Sequence, residues 1–123
     1  MRRPERVAEV LQEEIAQIVG YEMEDPRLAG VTVTDVRLSE NLRDARVFVT
    51  VIGDEAEHRE ALAALRHAAP YVRKQLGISL GLRHTPELHF VRDIVEERGA
   101  RVDQLLQEIK QQGDGPAERE DEG

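Results

Sequence analysis

The run Arg83-His84-Thr85-Pro86-Glu87-Leu88-His89 places two imidazoles and a carboxylate within seven residues. On a strand, alternate side chains share a face, so Glu87 and His89 point the same way. Two metal ligands would meet there. Zinc needs three or four, and no HExxH or equivalent spacing supplies the rest. The expectation is a polar strand face and no metal. A hydrolytic nucleophile is less favoured still. The chain has two serines and no cysteine, and neither Ser39 nor Ser79 sits in a GxSxG turn. No GxxxxGKS/T or GxGxxG loop offers a cradle for a nucleotide cofactor. These residues therefore predict no enzyme and no cofactor.

A group of cations carries the stronger signal. From Ala61 to Arg92 stand Arg66, Arg73, Lys74, Arg83 and Arg92 against Glu87 alone. Carboxylates are absent from Ala61 to Thr85, while they crowd most other polar stretches. Arg66 and Arg73 are seven residues apart, as are His67 and Lys74, so each pair lines up over nearly two helical turns. Taken singly, each is an ordinary solvated charge. Together they suit phosphate oxygens, which guanidinium forks bind in pairs. His67, His84 and His89 add charge where a phosphate stabilises the imidazolium.

The elements that position these groups follow from periodicity. Val7, Val10, Leu11, Ile15, Ile18 and Val19 mark one face of a helix from Pro4 to about Glu22. Glu24 to Gly30 reads as turn and loop. Val31–Leu38 alternates with a phase shift near Thr34–Asp35, which a β-bulge would produce. Ala45–Ile52 alternates cleanly, and the short link Ser39–Asp44 makes the two strands an antiparallel hairpin. Asp54 is the expected N-cap of the next helix. Its stripe of Leu62, Leu65, Ala69, Val72 and Leu76 runs through Pro70. A proline inside a helix removes a backbone donor and costs about 3 kcal/mol. Two helices are therefore expected, meeting at Ala69–Pro70, with Pro70 in the first turn of the second. That helix start would also favour phosphate. Gly77 and Gly81 mark its fraying end. Glu87–Arg92 is a third strand, with Leu88 and Phe90 on one face. A last helix carries Val95, Val102, Leu105, Leu106 and Ile109 along one side. The fold expected is α+β, with helices on one face of a three-stranded sheet.

Composition sets outer bounds. The 123 residues suffice for one domain, and 40% hydrophobic content permits a core. The net charge of −8 argues against a uniformly basic nucleic-acid binder, but half of it lies in the tail, where Gly113 to Gly123 holds five acids and one arginine. The local field, not the total, steers a ligand. The tail reads as disordered. Without cysteine there is no disulfide scaffold or thiolate metal site. No secretory signal and no membrane span is visible, which predicts a cytoplasmic protein.

Three stretches together resemble bacterial ribosome-binding factor A: DPRLAGVTVTDVRLSENLRDARVFVTV from Asp25, HAAPYVRKQLGISLGLRHTPELHFVRD from His67, and ERGARVDQLL from Glu97. The resemblance implies a KH-like fold of the second topology, helix-strand-strand-helix-kink-helix-strand, over residues 1–112, with 113–123 as an acidic tail. It implies binding to free small (30S) ribosomal subunits through 16S ribosomal RNA, with neighbouring ribosomal proteins within reach. It implies a part in late subunit assembly, in 5′-end maturation of that RNA and in cold adaptation, and it implies no catalysis. A typical KH domain clamps nucleic acid with a GxxG loop, which this chain lacks. The family places an Ala-x-Gly kink there, and the matching positions are Ala68, Ala69 and Pro70, so the third departs from the pattern. The expected RNA-binding set is Arg66, His67, Ala68, Ala69, Pro70, Arg73, Lys74, Arg83 and His84, in a monomer without small-molecule substrate. The alternative is a protein–protein module that dimerises through a sheet edge or the outer sheet face. A metal-dependent nuclease using His84, Glu87 and His89 is a third reading.

Overall fold

Leu11, Ile15, Ile18 and Val19 recur at helical spacing, and burying them makes the first segment a helix. In the computed structural model, which describes residues 4–113 and the side chains of 6–111, α1 spans Pro4–Gln17 and widens into a π-helical turn over Ile18–Glu22. All four of these apolar residues are buried, while Val7 and Ala8 pack at the margin of the core. A short 3₁₀ turn, Pro26–Leu28, then reverses the chain, capped by the Asp25 carboxylate, which accepts from the Arg27 N–H at 2.9 Å. It seats Leu28 in the core.

β1 (Val31–Leu38) and β2 (Asp44–Val51) pair antiparallel. Their register shifts between Val33 and Asp35, so the expected bulge is present and Thr34 stands outside the ladder. Its hydroxyl donates to the Phe48 carbonyl at 3.2 Å and lies 2.5 Å from Asp93 Oδ2. β3 (Glu87–Arg92) pairs with β2 in parallel, giving the order β1-β2-β3 with β2 central. Spacing alone does not decide that direction. Val36, Ala45, Val47, Val49, Leu88 and Phe90 all turn to one face and are buried there with the helical residues Ala64, Leu65, Val72 and Leu76. α1 packs on β1, and the next helix, α2 (Glu55–Leu80), packs on β3.

α2 runs unbroken over Glu55–Leu80 with Pro70 in its interior, so the expected pair of helices is one helix. The proline deprives the Arg66 carbonyl of a donor. Packing holds the helix through it, because Leu65 before and Val72 and Leu76 after are fully buried against the same sheet. Asp54 caps the start as expected and forms a reciprocal box with Glu57, at 2.8 Å and 2.9 Å. Gly81 ends the helix with a φ of 64°, in the left-handed region that glycine enters without penalty. Gly77 is not frayed. It lies inside the helix, where a Cβ would sit 2.6 Å from Thr85 Oγ1.

The chain divides into two units, 1–93 and 94–123. In the second, α3 spans Ile94–Gly113, with Glu96 and Glu97 in its first turn and Lys110 in its last, as the helix dipole favours. Val95, Val102, Leu105, Leu106 and Ile109 fall at helical spacing along it. Gly113, the first residue of the expected disordered tail, is the last residue of α3, and the rest of that tail lies outside the described residues.

Candidate nucleic-acid interface

The second half of α2 presents Pro70, Arg73, Lys74, Gly77 and Ile78 at intervals of three and four, a stripe beside the buried one. Opposite stands the segment that leaves the helix, Leu82-Arg83-His84-Thr85. Between them is an open hollow lined by these nine residues, with no carboxylate among them. Gly77 lets Thr85 approach the helix. Arg73 then grips the segment, donating from Nε and Nη2 to the Thr85 carbonyl at 3.0 and 2.8 Å. The Leu82 N–H donates to the Gly77 carbonyl at 2.9 Å, and Pro86 is buried. The wall is therefore fixed at both ends.

Five expected site residues come together here: Pro70, Arg73, Lys74, Arg83 and His84. The side chains of Lys74, Arg83 and His84 are exposed and make no ion pair or hydrogen bond with the described residues. They meet the condition for a phosphate site, cationic groups not already spent on neighbours. His67 is also exposed and without such a partner, but it does not line the hollow. Ala68 and Ala69 turn inward and pack against the core. Arg66 donates to the Phe90 carbonyl from Nε and Nη2 at 3.3 and 3.1 Å. That contact satisfies a carbonyl on β3, an edge strand. The phosphate-binding helix start expected at Pro70 does not exist, because α2 is continuous and its amides there are engaged in helical bonds. Any anion binding rests on side chains.

A second hollow adjoins the first across the ridge of His84 and Thr85. It is lined by Arg73, His84, Thr85 and Glu87 on one side, and by Asn41, Leu42, Arg43 and Asp44 of the β1–β2 turn on the other. The turn was not among the expected site residues. The metal reading is also redrawn. Glu87 and His89 do share a face, but their neighbour is Asp44, not His84. The ligand atoms of Asp44, Glu87 and His89 lie within 4.8 Å of one another, all exposed, and His89 Nε2 is 2.8 Å from Asp44 Oδ1. The third ligand came from the strand paired with β3, a neighbour that linear spacing does not reveal. On the same sheet face, Arg37 and Arg46 flank Phe48, their guanidinium carbons 5.9 and 5.8 Å from the ring centre.

Two carboxylates in the frame are shifted. Hydrogen bonds from the Arg92 guanidinium, at 2.9 and 2.7 Å, hold Glu55 below the usual carboxylate range and tie the start of α2 to the end of β3. The side chain and N–H of Arg27 do the same for Asp25 at the 3₁₀ turn.

One helix, a hairpin, a long helix with a proline in its interior and a parallel third strand define a KH-like domain of the second topology, with its cations gathered along the second half of the long helix. The family model described as "Ribosome-binding factor A" matches residues 3–106. The ribosome-binding factor A of Desulfitobacterium hafniense (strain DSM 10664 / DCB-2) is 42% identical over 121 residues, covering 98% of this chain and 93% of the relative. That of Solibacter usitatus is 44% identical over 109 residues, 89% of each. The crystal structure of ribosome-binding factor A from Thermus thermophilus superposes with a TM-score of 0.67 at 28% identity, covering 74% of this chain and 97% of that one. A homology model of the Thermus thermophilus protein, fitted into a cryo-EM map of a 30S–RbfA complex, gives a TM-score of 0.62 at 30% identity over 72% of this chain and 92% of that one. The chain belongs to the ribosome-binding factor A family.

Proposed function

We propose that this protein binds free small ribosomal subunits through their 16S ribosomal RNA. It acts in the cytoplasm, late in subunit assembly, and assists 5′-end maturation of that RNA, with a part in growth in the cold. Residues 1–112 form the binding region, with 113–123 as an acidic appendage. It works without catalysis, metal or cofactor.

One observation carries this reading: Lys74, Arg83 and His84 share a hollow that holds no carboxylate, and their side chains have no partner among the described residues. Cations placed without internal partners cost nothing to hand to phosphate, and the release of counterions drives such binding. Family membership and the 30S complex of the Thermus thermophilus relative support the partner. Arg66 on the Phe90 carbonyl blunts the β3 edge and supports a monomer over a strand-paired dimer.

The test is sedimentation with purified small subunits across a salt series. Arg73 is left in place because it holds the wall. The double variant Lys74→Glu/Arg83→Glu is expected to keep its helical circular dichroism and to lose subunit binding, with a shallower dependence on salt. Cosedimentation equal to the parent at low and moderate salt overturns the site. Chemical footprinting of subunits with and without the parent protein then locates the RNA contact.

A further inference from the structure

The turn between β1 and β2 holds a backbone conformation that its residue type disfavours. Leu42 has a φ of 62° and is the one non-glycine residue with positive φ among the described residues. There its Cβ crowds the following carbonyl, a penalty glycine escapes and asparagine offsets with its own side chain. Hydrogen bonds on both sides keep it in place. The Leu42 N–H donates to the Ser39 carbonyl at 3.0 Å, and the Ser39 N–H to the Asp44 carbonyl at 2.9 Å. Asn41 Oδ1 accepts from the Ser39 hydroxyl at 2.8 Å and from the Arg43 N–H at 3.0 Å. From the far side, the Glu87 N–H donates to the Arg43 carbonyl at 2.8 Å, anchoring the turn to β3. The leucine held at this rigid tip is 45% exposed. A turn selected for stability alone would carry glycine or asparagine at this position.

The tip does not stand apart from the cationic surface. Leu42 and Arg43 line the hollow whose other wall is Arg73, His84, Thr85 and Glu87, and the first three of these also line the hollow of Lys74 and Arg83. The Arg43 guanidinium has no partner among the described residues. Asp44, at the base of the turn, already faces His89 at 2.8 Å. One continuous surface thus runs from Lys74 over the His84–Thr85 ridge to an apolar tip beside a free arginine.

We infer that Leu42 is an RNA contact, lying against ribose edges in the shallow minor groove of a helical segment while Arg43 meets the adjoining phosphates. This rests on the ribosomal-RNA reading above. The A-form minor groove is wide and shallow and displays sugars, which an apolar side chain on a rigid tip can cover. Arg43 beside the tip, and continuity with the carboxylate-free hollow of Lys74 and Arg83, favour RNA over a protein partner, since phosphates flank every ribose.

Leu42→Gly removes the side chain and suits the backbone. It is expected to melt at or above the parental temperature, while its affinity for free small subunits falls about tenfold, the scale of losing burial of one apolar side chain. The chain has no cysteine, so Leu42→Cys takes a single iron chelate for directed hydroxyl-radical cleavage, and cuts are expected in a helical segment of 16S RNA. If Leu42→Gly binds like the parent while Lys74→Glu/Arg83→Glu loses binding, the inference is overturned and the proposed function stands. If neither variant loses binding, both readings fall. Loss of affinity without RNA cuts from position 42 assigns the leucine to a ribosomal protein and overturns the RNA contact.

Discussion

Replacing Pro70 with alanine is expected to stabilise the protein. The proline lies in the interior of a 26-residue helix, exposed on its outer side. Proline there is about 3 kcal/mol less favourable than alanine, mainly through the missing donor and the clash with the Arg66 carbonyl. Alanine would also free the unfolded chain, which gives back about 0.4–1 kcal/mol. The net gain is about 2 kcal/mol. At ~4–8 °C per kcal/mol for a domain near this size, the melting temperature rises by at least about 8 °C. Differential scanning calorimetry at neutral pH measures it. An unchanged or lower melting temperature refutes the reasoning. It would mean that Val72 and Leu76 need a bend at Pro70 to reach the sheet, and that straightening the helix takes away what the new hydrogen bond supplies.

Two further outcomes test the frame around the site. Gly77→Ala pushes a Cβ to 2.6 Å from Thr85 Oγ1. The helix gains up to about 1 kcal/mol in propensity, so melting should hold or rise while subunit affinity falls a few-fold as the wall shifts. Affinity equal to the parent would show that the wall's position is unimportant. The Glu55–Arg92 contact makes stability depend on acid pH. Since the folded carboxyl titrates below its ordinary value, its contribution is whole above that ordinary value, near ~4.3. It fades as pH falls through the lower folded value. Acid melting curves of the parent should therefore drop more steeply than those of Glu55→Gln below pH ~4. The difference should shrink in high salt, because the Glu55 side chain is exposed. Parallel curves would remove the contact as a source of stability.

What could be read directly was whatever burial imprints as a period. The faces of α1 and α2, the bulge at Thr34 and the hairpin all follow from where apolar residues must turn inward. Two features resisted because they depend on residues distant in sequence. The direction of β3 follows a connection long enough for either sense, and only pairing with Val47 and Phe48 decides it. Arg66 and Arg73 look like phosphate ligands by charge, yet each is held by a backbone carbonyl, of Phe90 and Thr85, that no spacing rule points to. Pro70 shows a local rule losing to packing on both sides. Leu42 was invisible for a different reason: leucine is among the last residues one expects at positive φ, so its conformation could only be found in three dimensions. The carboxylate-free setting of Lys74, Arg83 and His84 was legible because an absence of carboxylates is itself a sequence pattern.

The central place of β2 has a consequence for how the chain is made. Its hairpin partner lies just upstream, but the pairing of Asp44 with Glu87 spans more than forty residues. A nascent chain leaving the ribosome can zip β1 onto β2 early, yet β2 keeps one naked flank until β3 emerges. The apolar residues Ala45, Val47 and Val49 wait on that strand, a sticky template for stray chains. The time residues 52–92 take to emerge therefore sets how long each new copy runs that hazard. A ribosome stalled in that interval would leave the molecule at its most vulnerable.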